Sequence, residues 1–213
     1  MRSVLFTIIF FIYALTGVCQ EKYKNSVAIN GRLTEDTWFL DMSYVRMLNK
    51  FVGCGAGCGI WKQYLYEEMF HGRGWELNDE SKACSTIYLR PFVQLLSPAV
   101  IKTSGCKFRL CFEPGLMLRI PWDYVNIDII DGNRVYSNKY VFRCSKGQWL
   151  SFDCKSGLDV NFENFNVCVG YMCSTLDVYT YRRRFVFRNK SYNDCLPARK
   201  LMQGAFATIS YNW

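Results

Sequence analysis

Apolar positions recur along this chain with two different periods. From Thr34 they step by three and four residues (Trp38, Met42, Val45, Leu48, then Phe51 or Val52), which is the spacing of one helix face. Thr34 is suited to cap such a helix, with Glu35 and Asp36 in the first turn, where the helix dipole favours acids. Gly53 predicts its end. A second helix is expected from Ile60 to Phe70, with Trp61, Leu65 and Met69 on one face and Gly72 and Gly74 as the stop. Gly53-Cys54-Gly55-Ala56-Gly57-Cys58-Gly59 lies between them as a tight run of small residues. Residues 34–72 therefore read as a helical hairpin with a cross-linked elbow.

Beyond Cys84 the period shortens. Aromatic and β-branched residues alternate in short runs bounded by turn residues, which predicts strands at Ser85–Phe92, Lys107–Phe112, Tyr124–Ile130, Arg134–Cys144, Val167–Met172 and Val178–Arg188. Val125, Ile127 and Ile129 share a face and are followed by Asp131-Gly132, a pair that accepts positive φ, so a hairpin is expected there. Pro91, Pro98, Pro114 and Pro121 suggest edges or loops in the middle of the chain. Pro197 is placed to open a short helix through Met202. The predicted fold class is α+β, an N-terminal helical hairpin packed on a disulfide-stapled, mainly antiparallel β region. The expected organisation is a flexible arm at 20–33, then one domain at 34–213. Within it lie the hairpin at 34–72, the β-rich part at 84–190 and a short helix and tail at 195–213.

Before all of this, Arg2 and the apolar run Val4 to Val18 have the form of a signal peptide. That run is shorter than the roughly 20 residues of a membrane-crossing helix, and Gly17 and Cys19 are the small residues of a cleavage site. A cut after Cys19 removes residues 1–19 and leaves ten cysteines: Cys54, Cys58, Cys84, Cys106, Cys111, Cys144, Cys154, Cys168, Cys173 and Cys195. An even set in an exported chain reads as a disulfide framework. Structural zinc is set aside because no C-x-x-C knuckle occurs.

Composition narrows the chemistry further. Half of the 213 residues are apolar and 17% are aromatic, which excludes a disordered chain, and the formal charge is +8. His71 is the only histidine, so mechanisms needing two imidazoles are excluded. His71-Gly72-Arg73-Gly74 is comparable with an esterase oxyanion loop, but the G-x-S-x-G elbow such an enzyme needs is absent. The glycines at 53–59 lack the Gly-Lys-Ser/Thr of a phosphate loop. Glu67, Glu68, Glu113, Asp123, Asp128 and Asp131 offer the one catalytic route that needs no histidine, a pair of carboxylates. No residue is assigned as catalytic and no cofactor or metal is implied.

The most distinctive stretch runs from Tyr179 to Lys190. As a strand it places Tyr179, Tyr181, Arg183, Phe185 and Phe187 on a buried face and Arg182, Arg184, Val186, Arg188 and Lys190 on the other. Arg182, Arg184, Arg188 and Lys190 thus form a candidate cationic binding face, and Asn189-Lys190-Ser191 makes Asn189 a glycosylation candidate. The expectation is a secreted, monomeric, non-enzymatic glycoprotein of toxin or effector type. It would bind an extracellular receptor or an anionic glycan or lipid surface, with no transmembrane segment and no nucleic-acid partner. A structural matrix, eggshell or virion-surface component is one alternative, and a secreted carboxylate-dependent hydrolase is another.

Overall fold

The computed structural model describes residues 25–64, 70–130 and 136–213. Eight long strands dominate it: β1 (Asn25–Thr34), β2 (Thr37–Met47), β3 (Val52–Gln63), β4 (Ser85–Leu96), β5 (Lys107–Arg119), β6 (Leu150–Phe162), β7 (Phe165–Ser174) and β8 (Met202–Asn212). Each pairs antiparallel with its neighbours in sequence, and β8 returns to β1 with Tyr211 opposite Val27. The sheet has no free long edge, because it closes as an up-and-down barrel. The only helical elements among the described residues are two short 3-10 turns, Asp79–Ser81 and Tyr192–Cys195.

Side chains alternate strictly between lumen and exterior, as the pleat requires. Outward go Val27, Ile29 and Leu33 from β1, Leu40, Met42 and Tyr44 from β2, Leu110, Phe112 and Leu116 from β5, and Phe152, Leu158 and Phe162 from β6; all are exposed. Inward go Asn30, Arg32, Asp41, Ser43, Arg90, Glu113, Asp153, Lys155, Asp159 and Thr208; all are buried. This inverts a water-soluble protein, in which charged residues are almost never fully buried. An outward apolar band over a polar interior is how a barrel is built when its solvent is hydrocarbon. Strand lengths of 10 to 13 residues match the 9–11 or so needed to cross a bilayer at a tilt. Neighbouring rings at the short-turn end (Phe165–Tyr211 at 5.2 Å, Tyr211–Trp213 at 6.2 Å, Tyr44–Trp213 at 6.4 Å) supply an aromatic girdle.

The two barrel ends differ. At one end, short links at residues 48–51, 97–106 and 163–164 join the strands. At the other, the tight β1–β2 turn sits beside three long connections, 64–84, 120–149 and 175–201. These long connections fold into a cap. Its sheet has the order Tyr136–Cys144, Asp123–Ile130, Trp75–Leu77, His71–Gly72. Val125 and Ile127 from that sheet are fully buried against Phe70, Trp75, Phe142 and Tyr192. The hairpin anticipated around Val125 to Ile129 is therefore present, although its Asp131-Gly132 turn lies outside the described residues.

The predicted fold class needs correction. Among the described residues of 34–72 there is no helical hairpin: they hold β2 and β3, then the start of the first long connection, and Leu65 and Met69 lie outside them. The residues read as a flexible arm form β1 from Asn25 onward, and the expected helix after Pro197 gives way to β8. The three- and four-residue steps mixed two faces of one strand, since Trp38 and Met42 point outward whereas Val45 points into the lumen. Thr34 caps nothing; its Oγ1 accepts from the Thr37 amide at 3.0 Å and closes the β1–β2 turn. The glycine run is a strand at period two, with Gly53, Gly55, Gly57 and Gly59 on the lumen face of β3. Two of these places admit nothing larger, because a Cβ on Gly59 would lie 2.3 Å from that of Asp41 and one on Gly55 2.5 Å from the Phe92 ring.

The disulfide framework is corrected as well. All ten cysteines from Cys54 to Cys195 carry free thiols. β3 turns Cys54 and Cys58 to the exterior, while Cys111 and Cys168 face the lumen and Cys84 and Cys144 are buried in the cap. Closure of the barrel, not sulfur, holds the strands. The candidate signal peptide at residues 1–19 lies outside the described residues.

Candidate functional site: a bridged lumen beneath a folded cap

Inward-pointing charges of five strands meet across the barrel. Arg32 Nη2 lies 2.8 Å from Asp41 Oδ2, and Arg32 Nη1 lies 3.2 Å from Asp153 Oδ2. Asp153 Oδ2 also takes Arg90 Nε at 2.7 Å. Arg90 Nη1 reaches Glu113 Oε2 at 3.3 Å, and Lys155 Nζ reaches the same oxygen at 3.4 Å. Three cations (Arg32, Arg90, Lys155) thus balance three carboxylates (Asp41, Asp153, Glu113), and every one of the six is buried. Neutral groups complete the set. Tyr88 donates to Asp41 at 2.6 Å, Asn30 donates to Asp41 at 2.8 Å and to Ser43 at 2.9 Å, and Lys155 and Thr208 donate to Asn30 Oδ1 at 3.0 and 2.6 Å. Alternation alone puts these residues inside. Their charges have to be matched because all six are buried, and a buried charge without a partner is costly.

The network divides the lumen. Toward the short-turn end, an open chamber of about 880 Å³ is lined by Asn30, Ser43, Gln94, Glu113, Thr208 and Asn212 among others. Toward the cap, Phe39, Trp61, Tyr88 and Met117 of the barrel pack against Leu176, Val178 and Tyr179 of the third long connection. Gln63 Nε2 donates to Tyr179 at 2.5 Å, and Arg119 Nη2 donates to the Asp177 carbonyl at 3.0 Å while its guanidinium covers the Tyr181 ring at 4.8 Å. This mouth is plugged by side chains.

The cationic face expected at Arg182, Arg184, Arg188 and Lys190 is not assembled as one row. Val178 to Arg184 forms successive turns, and only Val186–Phe187 pairs with Lys190–Ser191, around Arg188 and Asn189 at φ 45° and 64°. That is the geometry of a two-residue hairpin loop. Arg182 is buried, with its Nε 2.5 Å from Asp123 Oδ2 and its Nη2 3.2 Å from Oδ1; it also donates to the Ser81 carbonyl. It clamps two long connections to the third. Lys190 donates to the His71 carbonyl at 2.7 Å, whereas Arg184 and Arg188 are exposed. Asn189 stands exposed at the hairpin tip. Phe185 and Phe187, placed by the sequence on a buried face, do line the cap core, at 5.2 Å from Phe142 and 4.9 Å from Trp75 respectively.

Sequence reasoning missed the network altogether, although β6 carries its signal: Asp153, Lys155, Gly157 and Asp159 alternate with Phe152, Cys154 and Leu158. Two of the candidate carboxylates, Glu113 and Asp123, fall in different places, one in the lumen and one in the Arg182 clamp.

Burial in the cap pushes the Cys84 thiol from the ordinary 9.0 up to about 12 and the Cys144 thiol up to about 11. A thiol whose pKa is raised by folding stays protonated in the native protein while the unfolded chain ionises from about pH 9. Its contribution to stability is therefore complete below pH 9 and declines between there and about pH 12. Native protein is expected to leave Cys84 and Cys144 unmodified by iodoacetamide at pH 8, and the cap to loosen first on alkaline titration. Residue-resolved alkylation by mass spectrometry checks both. Rapid modification of Cys84 at pH 8 would contradict its placement.

No protein-family model matches the chain, and no curated protein matches it in sequence. Solved structures similar to it include a β-barrel domain and an outer membrane enzyme. The N-terminal β-barrel domain of Pseudomonas aeruginosa OprF shares 12% identity over 91% of this chain and 100% of that one, with a TM-score of 0.46. Neisserial surface protein A shares 8% over 89% and 95%, with a TM-score of 0.42. The outer membrane enzyme PagL shares 12% over 87% and 98%, also at 0.42. The expected secreted, toxin-like binder without a transmembrane segment is overturned by the closed barrel and its apolar exterior. At this level of likeness no activity or partner passes from those proteins to this chain.

Proposed function

We propose that the chain spans a bilayer as a sealed, non-conducting barrel, without catalytic activity of its own, and serves as a rigid membrane mount for the folded cap. The observation that carries this reading is the reversed polarity of the barrel together with its two internal closures. Apolar side chains cover the exterior while Arg32, Arg90, Lys155 and their carboxylates bridge the lumen, and Leu176, Val178 and Tyr179 fill the mouth above them. A closed barrel satisfies every backbone group in hydrocarbon, which makes it one of the two structures able to span a membrane. Eight strands leave an interior that side chains can fill. Two of the candidate acids, Glu113 and Asp123, serve as ion-pair partners of arginine and lysine, which fits a structural rather than a hydrolytic role for them.

Two measurements on full-length protein reconstituted into phospholipid vesicles and planar bilayers test this. The protein is expected to stay with the membrane through alkaline carbonate washing and to give no steady ionic conductance. Release by the wash would overturn the membrane reading. Stable open-channel current would overturn the sealed lumen.

A further inference from the structure

A cationic cleft of about 740 Å³ lies at the foot of the cap, lined by Lys146, Gln148, Asp177, Arg183, Arg184 and Arg199 among others. Its floor is rigid. Gln148 donates to the Thr175 carbonyl at 3.2 Å, accepts from the Asp177 amide and from Arg199, each at 3.4 Å, and its own amide donates to Thr180 Oγ1 at 2.9 Å. Arg183 is neutralised, with its Nε 2.7 Å from Asp177 Oδ2 and its Nη2 3.2 Å from Oδ1. Lys146, Arg184 and Arg199 have no carboxylate within ion-pair distance among the described residues, so the cleft holds three uncompensated positive charges. Like charges gathered around one concavity repel one another, and an anion seated between them relieves that repulsion.

The position of the cleft selects the source of the anion. Lys146, Gly147 and Gln148 lead directly into exposed Trp149 and then into Leu150 and Phe152, which β6 turns outward where it enters the apolar band. On the other wall, Arg199 precedes exposed Leu201 and the start of β8. A tryptophan at that level marks the interface where headgroups lie. The cationic atoms therefore stand at the height of lipid phosphates, with acyl-chain contacts ready beneath them. Arginine forks pair with phosphate oxygens two at a time, and basic pockets at this depth bind phosphorylated headgroups.

We propose that the cleft of Lys146, Arg184 and Arg199 binds the phosphate of an anionic lipid headgroup in the leaflet on the cap side. The inference rests on the bilayer-spanning reading given above. The test uses full-length protein in vesicles of phosphatidylcholine with or without phosphatidic acid, comparing wild type with K146Q/R184Q/R199Q. Native mass spectrometry reads retained lipid, and brominated phosphatidic acid quenches tryptophan fluorescence. Wild type is expected to retain phosphatidic acid over phosphatidylcholine, and the triple variant to lose about 100-fold in that preference while inserting equally well. Equal retention by the variant would overturn the proposal. So would a site saturated by inorganic phosphate with no lipid preference, which identifies a free anion as the ligand. Failure to insert, read by carbonate washing of the wild type, would instead strike at the membrane reading itself.

Discussion

Replacing Met42 by Arg is expected to destabilise the barrel by about 2–4 kcal/mol when it is folded in a phospholipid bilayer. Met42 is 58% exposed and sits at the middle of β2, opposite Ile29 of β1, which is 55% exposed. At a water-facing position that open, a substitution of this kind changes stability by only about 0.5 kcal/mol either way, because nothing is buried or unpaired by it. The large effect arises only if the side chain faces hydrocarbon, from which the guanidinium has to be withdrawn at the expense of local bilayer order. Urea titration of wild type and M42R in vesicles, followed by tryptophan fluorescence, measures the difference. A change below about 0.5 kcal/mol would mean that the outer face of the barrel is wetted.

The second large effect lies inside. Asp153→Ala removes the carboxylate that touches both Arg32, at 3.2 Å, and Arg90, at 2.7 Å, and it leaves two buried guanidinium groups short of a counter-charge. Breaking a buried ion pair by removing one partner costs about 3–5 kcal/mol, most of it from the charge left behind. A companion variant separates lost charge balance from lost packing. In R90M/D153A the remaining charges fall into two neutral pairs, Arg32 with Asp41 and Lys155 with Glu113. That double variant is expected to be more stable than D153A alone, although it alters more atoms. Should D153A unfold at the wild-type urea concentration, the ionic bridge would not be what holds the lumen closed. The exposed Lys139–Glu80 pair of the cap is the matching control, since ion pairs in water contribute little.

These two variants probe the polarity that the sequence reading inverted. Alternation was plain in Ser85–Phe92 and Tyr124–Ile130, and both are strands. It was equally present in Gly53-x-Gly55-x-Gly57-x-Gly59, where the absence of side chains on one face disguised a strand as a linker. In β2 the apolar residues occupy both faces, because Phe39 and Val45 pack in the lumen while Leu40, Met42 and Tyr44 face outward. A window that counts apolar residues then finds helical steps in a strand. The Tyr179–Lys190 segment failed for a different reason. Its aromatic and basic residues alternate in sequence, yet the chain turns repeatedly there, so that Arg182 dives to Asp123 while Arg184 stays in water.

By itself, the sequence determined where some of the alternating runs lie, Ser85–Phe92 and Tyr124–Ile130 among them, and that the second of these returns on itself. Alternation gives a strand two faces and says nothing of which face meets water and which meets lipid. That assignment came from closure: β8 pairing with β1 across almost the whole chain, with Tyr211 beside Val27, encloses one face of all eight strands together. Once Arg32, Arg90 and Lys155 share an enclosed space with Asp41, Asp153 and Glu113, mutual neutralisation makes their burial tolerable, and the apolar face is left as the outside. Matching of charge over such separations is a property of the closed sheet, so no local window of residues contains it.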